Sequence, residues 1–343
     1  MVAVNRRGMI RCALAAVLFG VSTPAVARLG RHLGSFSLAG LLYLGAALAV
    51  LPFAGRRRPT REAVRRGLPR LAVAIVVGGA FGPVLLAIGL HHTPSATASL
   101  LLNLELVFTT VLASVWFHEY LGWRVVAGTL LVVAAGVLLG WSNGASLRWG
   151  AVLIAGACVC WAVDNTVTAH LDELAPTHIT LVKGLAAGSA NLLIGLGVDG
   201  FPHGWPIFGA LFVGAIGYGA SITLWVAGAR DLGAARGQLV FATAPFLGAV
   251  VAWTVFGEPV LVREVLSLII AMAGVSFVLR SGHEHAHVHQ PVEHDHEHAH
   301  DDGHHVHIHV DAVAGFHQHP HRHEYAMHAH PHVPDLQHRH DHP

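Results

Sequence analysis

Apolar runs of about 20 residues, the length that crosses a bilayer, recur throughout the first 280 residues of this chain. They fall at about 10–27, 35–54, 71–90, 95–117, 122–141, 149–169, 177–198, 205–228, 235–256 and 260–279. A water-soluble domain carries about a quarter charged residues; this chain carries 12%. In hydrocarbon each backbone N–H and C=O must be satisfied within its own segment, so spans of this kind are helices. The expected fold is an all-α polytopic membrane protein of ten transmembrane helices. Cys12, Cys158 and Cys160 make no disulfide framework, and the last two sit inside an apolar run as small packing residues.

Arginine placement orients the bundle. With the N-terminus in the cytoplasm, fourteen arginines fall inside, seven of them in "GRRRPTREAVRRGLPR", and Arg28, Arg31, Arg148 and Arg263 fall outside. That bias follows the positive-inside rule and puts both termini in the cytoplasm of a multi-pass plasma-membrane protein. The N-terminal stretch ends in Ala25-Val26-Ala27, a pattern that imitates a signal-peptide cleavage site. An internal repeat argues that it is retained.

That repeat has an offset of 139. "GLHHTPSATASLLLNLELVFTTV" (89–111) aligns with "GARDLGAARGQLVFATAPFLGAV" (228–250), and Glu119 with Glu258. "FGVSTPAVARL" (19–29) pairs with "WAVDNTVTAHL" (161–171), and "LYLGAA" (42–47) with "VKGLAA" (182–187). Five helices per copy force the second copy to enter the membrane upside down, the inverted-repeat plan of many secondary transporters. The expected divisions are 1–142 and 147–280 for the two repeats and 281–343 for a tail.

The segments "ATASLLLNLELVFTTVLASVWFHEYLGWRVVAGTLLVVAAGVLL" and "LGAARGQLVFATAPFLGAVVAWTVFGEPVLVREVLSLIIAMAGVSFVL" resemble the ends of the two EamA repeats of the drug/metabolite transporter superfamily. The resemblance covers about residues 9–280. It implies a ten-helix transporter of small solutes, often outward, with a polar centre near Glu105 and a basic residue at the position of Lys183. The proline that follows the central segment is kept as Pro245 in the second copy; Leu106 stands there in the first.

Charged groups at membrane depth cost roughly 2.5–3.5 kcal/mol on insertion scales, so each needs a reason. Glu105 and Asn103 lie mid-span in the fourth helix, Asp164 and Asn165 in the sixth. Lys183 lies about six residues into the seventh, where it either pairs with Asp164 or snorkels to the interface. Asn191 follows two turns later on about the same face, and Tyr43 is the repeat counterpart of Lys183. These seven residues are the expected transport cavity. His118, Glu119 and Glu258 sit at helix ends and suit capping or interfacial roles. Gly78-x-x-x-Gly82 and Gly184-x-x-x-Gly188 suit close helix packing.

The tail is a different material, with 22 of the 29 histidines and 10 acids. Neutral imidazole is a ligand for Zn, Ni, Co and Cu. The expected metal ligands are His283, His285, His287, His289, His294, His296, His298, His300, His304, His305, His307 and His309. Their i, i+2 spacing lines one side of an extended chain, and with nothing to bury the free segment is expected to be disordered. Its role is a metal buffer or sensor, a polycation below about pH 6, or a dispensable accessory.

No phosphate loop, nucleophile motif or nucleic-acid face occurs, so neither an enzyme nor a nucleic-acid partner is expected, and transport itself needs no cofactor. The expected partners are the bilayer, a small solute, transition metals on the tail and, as an allowed assembly, a second copy. The leading expectation is a secondary transporter or exporter of a small organic metabolite or drug by alternating access, with proton coupling as one route. Two readings compete with it: a Ni, Co or Zn transporter with the tail as collector, and a non-transporting membrane metal sensor.

Overall fold

A computed structural model describes residues 6–54, 60–117, 123–140, 145–168, 171, 174–232 and 234–279, and the backbone of 283–289, 293–298, 317–322 and 326–332. In the body the helical segments are α1 (Arg6–Gly30), α2 (Ser35–Ala54), α3 (Arg61–His92), α4 (95–117), α5 (Trp123–Gly140), α6 (Ala145–Thr168), α7 (Pro176–Val198), α8 (205–232), α9 (234–254) and α10 (Val262–Leu279). Seven are long and apolar enough to cross a membrane. Of the rest, α9 is broken by a turn at 242–243, and α5 and α10 border residues outside the description. Many large apolar side chains point outward: Phe208 is 73% exposed and Leu193 68%. An apolar surround, not water, suits such a surface.

Local chemistry sets the ends. Thr60 caps α3, its Oγ1 accepting from Ala63 N at 3.2 Å, and Glu62 sits in the first turn where the helix dipole favours an anion. Two helices change pitch midway: α3 is π-helical over Ala74–Phe81 and α8 over Gly214–Ala220. Two others are interrupted, α4 at 102–103 and α9 at 242–243. The break in α9 precedes Pro245. The break in α4 needs no proline: Asn103 Nδ2 donates to Leu100 O at 3.0 Å, and the backbone tightens into i→i−3 bonds, Leu102 N to Ser99 O and Asn103 N to Leu100 O, both 3.2 Å. Thr243 does the same in α9, its Oγ1 donating to Val240 O at 2.8 Å.

Between helices in lipid, attraction comes from packing and hydrogen bonds rather than from burial of apolar surface. Accordingly α2, near the centre, meets α7 and α8 through glycines. A Cβ on Gly184 would stand 2.7 Å from Tyr43 O, and one on Gly188 would stand 2.8 Å from Leu44 N. The 78/82 pair serves a different end, because the space above Gly78 is taken by the Asp164 carboxyl group and that above Gly82 by the Trp161 indole. The segment that mimics a signal peptide is part of this bundle. Val26, within the A-x-A pattern, is 1% exposed, and α1 packs on α8 and α9.

The tail forms a separate unit. Its described backbone makes two antiparallel ladders, β1 (His283–His289) with β4 (Ala326–His332) and β2 (Glu293–His298) with β3 (His317–Arg322). Histidine at every second position is a strand period, and the register matches it: His285 faces His330, His287 faces His328, and His296 faces His319. His300, His304, His305, His307 and His309 lie outside the described residues, as do His118 and Glu119.

A paired substitution in α7 separates packing from propensity. Gly188→Ala drives a methyl group into the α2 backbone and should cost ~1–3 kcal/mol, lowering the thermal midpoint in detergent. Gly197 has nothing within 4 Å of its would-be Cβ, so Gly197→Ala should hold the midpoint or raise it, by up to ~1 kcal/mol. Equal behaviour of the two variants in differential scanning fluorimetry would contradict close α2–α7 packing.

Candidate functional site

The π segment of α3 is the hub of the site. Gly78 O accepts from Tyr43 Oη at 3.0 Å and from Trp161 Nε1 at 3.2 Å, and Ala80 O accepts from Asn191 Nδ2 at 3.2 Å. Helices α2, α6 and α7 are thereby tied to one short stretch of backbone. Because Gly78 has no side chain, Asp164 of α6 fits against it. There Asp164 receives Lys183 Nζ of α7 in an ion pair, and Thr168 Oγ1 at 3.2 Å. Lys183 and Asp164 are each 4% exposed. The lysine is therefore paired and does not snorkel.

Glu105 enters from the break in α4. The helix restarts at Leu104, which places the carboxylate in the first turn of the second half, where the helix dipole favours negative charge. It accepts from Asn165 Nδ2 at 2.7 Å and, more weakly, from Gln238 Nε2 of α9 at 3.5 Å. Both donors are neutral.

These groups line a cavity whose walls are largely aromatic: Phe19, Tyr43, Trp161, Tyr218, Trp225 and Phe241. It extends from mid-bundle toward the end where α6 and α8 finish and α7 and α9 begin, since Thr168, Thr180, Val226 and Gln238 also line it. At the opposite end, the α9–α10 connection clasps the N-terminus of α4. Glu258 accepts from Ser95 N at 3.0 Å, Ala96 N at 2.9 Å and the Ser95 hydroxyl. Glu264, 1% exposed, accepts from Thr97 Oγ1 at 2.6 Å, Trp253 Nε1 at 3.1 Å and Leu261 N at 3.3 Å.

Of the residues singled out in the sequence, Tyr43, Glu105, Asp164, Asn165 and Lys183 line the cavity together. Asn103 and Asn191 do not; one shapes the break in α4, the other ties α7 to α3. Glu258 caps a helix other than its own. Gln238 and the aromatic walls other than Tyr43 escaped the sequence. Gln238 had a visible signal, an amide in an apolar run, whereas the aromatics had none, since rings at helical spacing serve lipid-facing and cavity-facing surfaces alike.

The sequence profile of the EamA-like transporter family matches residues 6–141 and again 148–280. A protein of Methanothermobacter thermautotrophicus named as an uncharacterized transporter is 25% identical over 300 residues, covering 80% of this chain and 87% of its own. A probable terminal-alkyne amino-acid exporter of Streptantibioticus cattleyicolor is 31% identical over 145 residues, 41% of this chain and 47% of that protein. The fold resembles a solved crystal structure with a TM-score of 0.60 at 19% identity, covering 79% of this chain and 94% of that one. With the family matched across nearly the whole helical body, a polytopic chain built around a buried polar cavity has its place: it belongs to the EamA-like transporter family.

Proposed function

We propose that this chain is a secondary transporter, working outward, that carries a small organic solute through the Glu105–Asp164–Lys183 cavity by alternating access. The observation that carries this reading is a mid-bundle cavity with charged groups, approached from one end and clasped at the other by Glu258 and Glu264. With the arginine-rich 55–70 loop in the cytoplasm, the clasped end is external and the cavity faces the cell interior, ready to load an exported solute. One relative, matched over about half of its length, carries an exporter's name.

Ten membrane helices in two inverted copies, 1–142 and 147–280, belong to the same proposal. Supporting it are π segments at 74–81 and 214–220 and helix breaks at 102–103 and 242–243, each pair separated by 139 or 140 residues. In such a plan one copy rocks against the other about a fixed central site. Glu105 is the coupling group. A carboxylate at depth persists by pairing, hydration or protonation, and one that gains a proton in one access state and loses it in the other links solute to proton flow.

The tail, in this proposal, is a transition-metal-binding appendage that modulates the transporter. The strand register sets histidine opposite histidine, His285 with His330 and His287 with His328, and imidazole is a ligand for such metals.

Three outcomes test these assignments. In proteoliposomes, Glu105→Gln should abolish gradient-driven solute accumulation while downhill flux at saturating solute persists; wild-type accumulation would remove Glu105 from coupling. Lys183→Ala should cost about 3–5 kcal/mol of stability by stranding Asp164, and adding Asp164→Ala should restore part of it; strictly additive losses would show no pairing. In equilibrium dialysis the full chain should bind several equivalents of Ni or Zn. A 1–282 truncation should lose them yet keep the thermal midpoint of the body; retained stoichiometry would place the metal elsewhere.

A further inference from the structure

The charges around the cavity do not cancel, and their imbalance identifies what it takes. Among the described residues lining it, the charged groups are Glu105, Asp164 and Lys183. Lys183 is spent on Asp164, whose carboxylate is further engaged by Thr168. Among the described residues, the side chains that donate to Glu105 are the neutral amides of Asn165 and Gln238. When Glu105 is ionised, its charge therefore has no counter-ion among the described lining residues, in a site of low polarity where Coulomb terms are stronger than in water. The side chains of Arg230 and Arg236, on the flanking ends of α8 and α9, lie outside the described residues.

The neutral lining points the same way. Gln238 is 8% exposed, and its Oε1 has no hydrogen-bond partner among the described residues, leaving a buried acceptor beside Glu105. An unsatisfied buried acceptor is costly, and a ligand N–H satisfies it. The ring walls are continuous: Phe19 lies 6.0 Å from Trp161, 5.8 Å from Tyr218 and 5.4 Å from Phe241, and Tyr43 lies 5.7 Å from Tyr218. Aromatic faces attract cations and accept apolar bodies. Trp225 Nε1, also without a partner, is a donor for a neutral hydroxyl or carbonyl on that body.

We propose that the solute is an organic cation: a primary or secondary amine on an apolar or aromatic body, carrying no carboxylate. Its ammonium group lies between Glu105 and Gln238 Oε1, with its body against the Phe19–Tyr218 rings. A carboxylate on the solute has no free basic partner among the described lining residues. It must either displace Asp164 from Lys183 or lie beside two like charges, and a misplaced charge of that kind rejects a ligand as effectively as a clash. The proposal rests on this cavity being the transport site, and it separates amines from amino acids of the same shape.

The test uses three probes that share one ring and differ in charge: 2-phenylethylamine, phenylalanine and 3-phenylpropionate. Each is titrated into the purified full chain in lipid nanodiscs by calorimetry and by quenching of tryptophan fluorescence, since Trp161 and Trp225 line the cavity. The amine should bind at least about tenfold more tightly than either carboxylate, a difference of about 1.4 kcal/mol. Glu105→Gln should erase that preference and Glu105→Asp should keep it, with thermal midpoints measured for both. Gln238→Leu should weaken the amine alone. Equal or tighter binding of phenylalanine or 3-phenylpropionate overturns the assignment, as does amine binding that survives Glu105→Gln unchanged or is absent at millimolar concentration in folded protein. Flux in proteoliposomes distinguishes the two levels. Transport of phenylalanine without the amine discards the solute class and keeps the transporter; amine binding without flux of any probe does the reverse.

Discussion

A lysine and an aspartate, both buried, hold this site together. The pair is expensive to form, since desolvating two charges costs several kcal/mol per ion, and it is tolerated because its surroundings are built for it. Gly78 leaves room for the carboxyl group, Thr168 supplies a further hydrogen bond, and the π segment behind it anchors Tyr43 and Trp161. A π turn frees carbonyls from the usual i→i−4 ladder, and these carbonyls are what the neighbouring helices grip. The ion pair thus joins α6 to α7 across a weakened stretch of α3. It also removes the lysine from competition for Glu105, so one pairing sets both the shape of the cavity and its residual charge.

Scaffold and chemistry have different symmetries in the proposed two-copy plan. The pitch changes and helix breaks recur at nearly one offset, as backbone features must if two copies fold alike. The charges of the cavity do not recur. Glu105 aligns with Ala244, Lys183 with Tyr43, and Asp164 with Ser22. A single charged cluster on a doubled frame confines the expensive groups to one place while letting both halves move.

Much of this was legible in the sequence because the bilayer makes errors costly. An apolar run of 20 residues has few soluble uses, so the helical segments stand where hydropathy puts them. An ionisable residue at depth is conspicuous for the same reason, which is why Glu105, Asp164 and Lys183 stood out before any contact was known. What escaped depends on long-range placement or on backbone detail. The break in α4 was hidden because the visual cue for a kink is proline, and here Asn103 competes for a carbonyl instead. Gln238 meets Glu105 across 133 residues of sequence. Phe19, Trp161 and Phe241 were indistinguishable from rings that face lipid. The tail's histidine spacing was visible, but not the partner for each strand, since almost any register of so repetitive a segment sets histidine against histidine.

In the proposed alternating-access mechanism, the clasp at the far end puts the gate near the interface and leaves the charge near the centre. Glu258 is held by the N-terminal N–H groups of α4, which have no partners within their own helix, and Glu264 by a hydroxyl, an indole and one backbone N–H. When such a clasp opens at the membrane surface, water replaces every bond, so the net cost of each is about 0.5–1.5 kcal/mol rather than its full strength. The same bonds broken at mid-membrane would have no water to turn to, and the helices could not separate there. Opening is therefore cheap only at the ends, where the hydrogen bonds are exchangeable. On the proposed mechanism the centre keeps its groups paired through the whole cycle, either with one another, as Lys183 and Asp164 are, or with the solute at Glu105.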